Sequence, residues 1–373
     1  MKVNNIIPIP EEEVMLKLVR LAVFGGGSFN LKDSDINWDK LMNISLEQGV
    51  LCWVWEGICK LPAEQQPPRQ NRINWGLSVQ EWRDSYYLQK DVLNQIISVC
   101  NREGISVLVL KGIGLSEIYP IPESRVSGDI DIYLFGDYEK GNQLFSGGNY
   151  TFGVGDKHAS FIYQGINVEN HLTLINTNTR KQRLVESYLE SKLIDSKMVE
   201  DGYYILSPLS NLVFLIMHAL SHMESHISVT IKNMVDIAYL LYKNRSSIDV
   251  TECLDVMHRI KIAKSFELLL SISEKVSGLS FMDFHENIIH KEDVQKALGM
   301  IFERCTSIEV PLSLPFFTQI KLRRSYYNNM RWKYQYLPFS RISCIVREYR
   351  PPISNAIKQR LKPIIQLMNI NRQ

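Results

Sequence analysis

The chain has 373 residues, of which 45% are hydrophobic and 22% charged, and its 42 Lys and Arg nearly balance its 40 Asp and Glu, for a net charge of +2. That is an ordinary composition for a soluble globular protein of two or three domains with a sizeable core, and the overall charge selects no particular partner. The six cysteines (Cys52, Cys59, Cys100, Cys253, Cys305, Cys344) form no CxxC pair and no close framework, which argues against a zinc knuckle or a disulfide scaffold and fits a reducing cytoplasm.

The N-terminal stretch "MKVNNIIPIPEEEVMLK" has prolines and an acidic cluster where a signal peptide needs a continuous apolar run. Residues 11 to 60 carry helical spacing of apolar residues, interrupted by "FGGGSFNLKDSD". That glycine run lacks the Gly-Lys-Ser/Thr ending of a phosphate loop and reads as a helix-ending loop. "PAEQQPPRQNR" (62 to 72) reads as an exposed connection, and a long helix is predicted from about Val79 to Arg102, ended by Gly104.

The periodicity then changes. "ISVLVLKG" (105 to 112) is an apolar, β-branched run of strand length, "GIGLSEIY" a short helical piece and "DIDIYLF" (129 to 135) a second strand. "HASFIYQ" (158 to 164) and "INVENHLTL" (166 to 174) flank Gly165 and predict a hairpin. From Ser207, an N-cap followed by Pro208, the helical pattern returns and continues to about Arg304. Within it, "LVFLIMHAL" (212 to 220) is about half the roughly 20 apolar residues that a spanning helix requires. From Lys321 onward twelve Lys or Arg stand against one acidic residue, Glu348, among many aromatics. Such a tail either binds nucleic acid or an anionic membrane surface, or packs its aromatics inward with its cations solvated.

Alternation along a strand puts Asp129 and Asp131 on one face and Ile130 and Ile132 on the other, and it groups Asn167, Glu169 and His171 in the same way. If the two strands are neighbours, three carboxylates converge. Two carboxylates about 4 Å apart repel by roughly 4 kcal/mol at an effective protein dielectric, so the cluster calls for a cation. Oxygen-only ligation favours Mg2+ or Mn2+ over zinc, and with it phosphoryl chemistry. Upstream, Lys111-Gly112 at a strand-to-helix turn offers backbone N–H groups and an ammonium to a triphosphate. Arg125 either contacts phosphate or holds the aspartates by fork-like hydrogen bonds. His218, His222 and His226 recur every four residues and form one helical stripe; "HMESH" is not HExxH, so a zinc site is the weaker reading and packing against the catalytic cleft the stronger. Asp236 either orients one of these histidines or pairs with a lysine.

The ordered set "LKGIGLSEIYPIPESRVSGDIDIYL", "VENHLTL" and "MHALSHMESHISVTIKNMVDIAYLL" resembles a family of uncharacterised bacterial nucleotidyltransferases, of the polymerase beta-like superfamily, often found with polysaccharide biosynthesis genes. The matching positions are Lys111 and Gly112, Tyr119 and Pro120, Arg125, Asp129 and Asp131, Glu169 and His171, His218 and His222, and Asp236. The resemblance implies transfer of a nucleoside monophosphate from a nucleoside triphosphate to a hydroxyl or phosphate acceptor. By the same analogy Asp129 and Asp131 hold both metals, Glu169 holds the catalytic metal and helps activate the acceptor, and Lys111, Gly112, Arg125, His171 and His222 serve nucleotide binding. Two departures stand out: Lys111-Gly112 replaces the superfamily's Gly-Ser turn, and the third carboxylate is Glu rather than Asp.

The expected architecture is α+β: N-terminal helices (1–97), a mixed-sheet nucleotidyltransferase core (98–200), a helical domain (201–310) and a basic aromatic helical tail (311–373). The sequence does not name the acceptor, which stays open among a sugar phosphate, a glycan, RNA and protein; the resemblance implies a place in surface polysaccharide synthesis. A toxin-like transferase acting on RNA or protein, with Arg323 and Arg324 in the tail as contacts, and a silent binding protein of the same fold are the alternatives.

Overall fold

The computed structural model describes residues 10–26, 36–146, 151–154, 158–225, 229–287, 289–303, 313–315, 317–322 and 331–337. The fold is α+β, one mixed sheet with helices before and after it in the chain.

Helix α1 (Pro10–Val19) passes into a π-helical turn (Arg20–Phe24) that Gly25 ends in the left-handed region, so the glycine run does terminate a helix. Helices α2 (Trp38–Glu47) and α3 (Leu51–Cys59) follow. Helix α4 is longer than its apolar pattern predicts: it runs from Arg69 to Arg102, starting directly after Pro67-Pro68. Its first turns carry Gln70, Asn71, Arg72 and Asn74, polar residues that hide the helical period until Trp75, which is wholly buried.

The sheet comprises β1 (Leu108–Val109), β2 (Asp129–Tyr133), β3 (Thr151–Val154), β4 (His158–Tyr163), β5 (Ile166–His171), β6 (Lys197–Met198) and β7 (Tyr204–Ile205), in the order β3-β4-β5-β2-β1-β7-β6. Strands β2 and β5 pair in parallel, as do β1 and β7; the remaining pairs are antiparallel. The predicted hairpin is β4–β5, closed by Gln164 and Gly165 with φ of 50° and 81°. Positive φ at both central residues is the two-residue turn whose twist suits a hairpin. The run 105–112 pairs over only two residues, so its apolarity reflects burial of Ile105, Val107, Leu108, Val109 and Leu110 rather than a long ladder.

Helix α5 (Lys111–Ser116) follows β1, and α6 (Tyr138–Ser146) follows β2. Then come α7 (Arg180–Ser191), α8 (Pro208–Ser225), α9 (Ile231–Asn244), α10 (Val250–Arg259), α11 (Ala263–Ser277) and α12 (Lys291–Glu303).

The two faces of the sheet belong to different cores. Ile130, Ile132 and Val168 pack with Val92, Leu93, Ile96 and Ile97 of α4. On the opposite face Tyr133, with Leu108 and Leu110, joins the large core built by α1, α3, α8, α9 and α11. Asp129 and Asp131 share the face of Tyr133, so the acids look toward the helical side of the molecule. No helix among the described residues is long and apolar enough to cross a membrane. The tail from 311 onward is described only in short pieces, and Arg323, Arg324 and His226 lie outside the described residues.

Candidate functional site

Parallel pairing sets Asp129 opposite Asn167, Asp131 opposite Glu169 and Tyr133 opposite His171. Period-2 alternation then brings Asp129, Asp131 and Glu169 to one face, with one carboxylate oxygen from each within 4.8 Å of the others. Ile130 and Val168, pointing the other way, fix that register because a slip of one residue would turn them to the polar face.

The cluster has its own counter-ions. Lys111 Nζ lies 3.0 Å from Asp131 Oδ2 and 3.3 Å from Asp129 Oδ2. The His171 ring, 1% exposed, meets Asp131 Oδ1 through Nε2 at 2.9 Å and Glu169 Oε2 at 3.6 Å. His158, from β4, approaches Glu169 Oε1 at 3.6 Å.

These neighbours set the charges. Burial opposes ionisation of Asp131, yet Lys111 and the His171 hydrogen bond outweigh it and hold the carboxyl well below the ordinary range. His171 also draws Glu169 below its ordinary value. Asp129 goes the other way, raised first by burial and then by the adjacent Asp131. Burial works against the Lys111 charge, but Asp131 and Asp129 prevail and push its pKa up.

Three carboxylates against one ammonium leave two negative charges, the complement of one divalent cation. The all-oxygen set of Asp129, Asp131 and Glu169 therefore fits Mg2+ or Mn2+. A second set, His158, Glu169 and His171, also has its ligand atoms within 4.8 Å and shares Glu169 with the first.

Behind the acids lies a buried knot that joins Asp236 of α9 to Gly112, Tyr119 and Arg125, Arg125 lying 111 residues before it. Arg125 Nε donates to Asp236 Oδ1 at 2.9 Å, its Nη2 to Asp236 Oδ2 at 2.7 Å and its Nη1 to the Gly112 carbonyl at 2.7 Å. The Tyr119 hydroxyl donates to Asp236 Oδ1 at 2.8 Å, and its ring stacks between Trp53 and Tyr239. Arg125 thus grips Asp236 rather than Asp129 or Asp131. Asp236, in turn, takes Arg125 and Tyr119 rather than a histidine.

Gly112 sits at φ 53°, ψ −127°, non-helical inside the six-residue α5. A Cβ there would lie 2.8 Å from Ser127 Oγ and 3.2 Å from Asp129 O, so only glycine lets this turn approach the loop that enters β2. With so short a helix, the ammonium of Lys111 is the main positive feature of the turn.

Of the residues singled out in the sequence, Asp129, Asp131, Glu169, Lys111 and His171 come together. Gly112 and Arg125 stand directly behind them. His222 does not join: its Nε2 pairs with His218 Nε2 at 3.0 Å, and neither belongs to the acid cluster. Sequence reading missed His158, although counting back from the Gln164-Gly165 turn sets it opposite His171. It also missed Lys232, one helical turn before Asp236 on α9.

A family model described as an uncharacterised nucleotidyltransferase matches residues 34–278, well over half the chain and including every residue of this site. No curated protein and no solved structure matches it.

Proposed function

Given that the chain belongs to this uncharacterised nucleotidyltransferase family and is a nucleotidyltransferase, we propose that it moves a nucleoside monophosphate from a nucleoside triphosphate to a hydroxyl or phosphate acceptor, using Mg2+ or Mn2+ held by Asp129, Asp131 and Glu169. The observation that carries this reading is the register of β2 and β5, which sets Asp131 beside Glu169 and so gathers three carboxylates on one face. A divalent cation held by these carboxylates would supply charge neutralisation at the phosphates.

The remaining chemistry falls to the chain's own groups. Glu169, held ionised by His171, is the base-side carboxylate facing the acceptor hydroxyl. His171 fixes the orientation of Asp131 through its Nε2 contact. Lys111 keeps the aspartates from repelling one another and offers an ammonium to the phosphate chain. Arg125, 3% exposed, positions the turn by its bond to the Gly112 carbonyl. The acceptor attacks the α-phosphate in line, its proton passing toward Glu169, and pyrophosphate leaves. A sugar phosphate or glycan of surface polysaccharide synthesis, met in the cytoplasm, is the acceptor class we place first, on the resemblance of the motifs.

The test is incubation with each labelled nucleoside triphosphate, Mg2+ and candidate acceptors. Wild type transfers label and the D129A/D131A variant does not; equal labelling by both removes the proposal.

A further inference from the structure

Three cations meet at the loop 125–129: Arg125 of the loop itself, Lys111 of α5 and Lys232 of α9. Two are matched by carboxylates: Arg125 by Asp236, and Lys111 by Asp129 and Asp131. The third is Lys232, in the first turn of α9. Its Nζ donates to the Val126 carbonyl at 3.2 Å, and among the described residues no carboxylate lies within 4 Å of it.

The direction of this side chain is built into the fold. The buried Gln48 receives the first turn of α9: its Oε1 accepts from Ile231 N at 3.0 Å and its carbonyl from Lys232 N at 3.3 Å. The aliphatic stem of Lys232 runs past Gly49, where a Cβ would stand 3.4 Å from its Cδ. The ammonium is thereby aimed at the backbone that leads into Asp129. Burial and then the neighbouring Arg125 draw its pKa down to about 8. Lys232 is half-buried, Arg125 and Lys111 oppose its charge while Asp236 and Asp129 favour it, and its side-chain hydrogen bond goes to a carbonyl, so an anion within reach would complete the ammonium's partners. The loop beneath it, Ser127-Gly128-Asp129, faces the Lys111-Gly112 turn across the contact at Gly112, so an anion held there would lie beside the carboxylates.

We propose that Lys232 contacts the phosphate chain of the nucleoside triphosphate, a cation that the helical side of the molecule delivers to a site whose carboxylates come from the sheet. The inference rests on the nucleotidyl-transfer reading. It adds that the two halves of the molecule read the same nucleotide, the sheet through metal ligands and α9 through an ammonium. A lysine suits the task as a compact point charge on a flexible stem.

Calorimetry on the full chain tests it, with Mg2+ and the α,β-methylene analogues of ATP, GTP, CTP and UTP, and with the corresponding monophosphates. K232Q is expected to weaken triphosphate binding at least tenfold while leaving monophosphate binding within about twofold, and K232R to recover most of the loss. K232M, which keeps the stem volume, serves as the second neutral variant, and circular dichroism verifies the fold of each. Unchanged triphosphate affinity in K232Q and K232M, or equal losses for triphosphate and monophosphate, overturns the contact while the transfer reading stands. No Mg2+-dependent nucleotide binding by the wild type overturns the transfer reading and this inference with it.

Discussion

Arg125 and Asp236, 111 residues apart in the chain, meet as a two-pronged ion pair at 2.9 and 2.7 Å with both side chains at 3% exposure or less. The pair fastens α9 to the loop that precedes β2, and through the Gly112 carbonyl it reaches the turn beside the acids. Removing one partner of such a pair leaves a buried charge uncompensated. R125A and D236A are each expected to lose about 3–5 kcal/mol of stability in urea unfolding. R125K is expected to recover little, because an ammonium cannot reproduce the fork. Full stability in either alanine variant would contradict this role.

The carboxylate cluster trades stability for function. The Asp129 pKa is raised, by burial and then by Asp131, so the folded state binds its proton more tightly than the unfolded chain does. Its contribution to stability therefore falls as pH rises through the raised value, and at neutral pH the ionised form is a net cost. Without divalent cation, D129N is expected to melt about 2 °C higher than wild type at pH 7, and to show no such gain at pH 3. Adding Mg2+ is expected to stabilise the wild type and not the variant. Scanning calorimetry with and without Mg2+ measures both effects.

Gly112 adopts a left-handed φ and has no room for a Cβ beside Ser127 and the Asp129 carbonyl. G112A is expected to cost about 1–3 kcal/mol in backbone strain and contact, and to lower transfer further by displacing Asp129. Chemical denaturation gives the first quantity, and the labelled transfer assay the second. Wild-type values in both would remove the steric argument.

Burial first, and then Arg125 and Lys111, lower the Lys232 pKa to about 8 against Asp236 and Asp129, which raise it. Near pH 8 about half of this population is neutral. A bound polyanion favours the charged form, so triphosphate binding at that pH is expected to take up a fraction of a proton. The observed binding enthalpy should then vary with the ionisation enthalpy of the buffer in wild type, and much less in K232Q. Below about pH 6.5 the dependence should fade, since the amine is already protonated. Identical buffer dependence in the two proteins would sink the prediction.

The site was legible where a short-range period encodes it. Asp129-x-Asp131 and Glu169-x-His171 follow from alternation, and the β4–β5 hairpin from Gln164-Gly165. What the sequence concealed depends on partners far along the chain. Asp236 read equally well as a partner for histidine or lysine, and only the meeting of α9 with the segment 119–125 resolves it to Arg125 and Tyr119. Strands β6 and β7, two residues each, are too short to show a period. The start of α4 was masked by its polar first turns, and the pairing of His218 with His222, apart from the acids, could not be read from their four-residue spacing.

Helix α4 also bears on how the molecule can be divided. Trp75 and Val79 near its start are buried in the larger core, and Tyr86, Val92, Leu93, Ile96, Ile97 and Cys100 nearer its end in the smaller one. One rigid spine thus serves both. Excising the sheet as a stand-alone fragment at position 98 would strip five of those apolar side chains from its underside, and restoring them means beginning the cut before Tyr86, on a segment that the other half also needs.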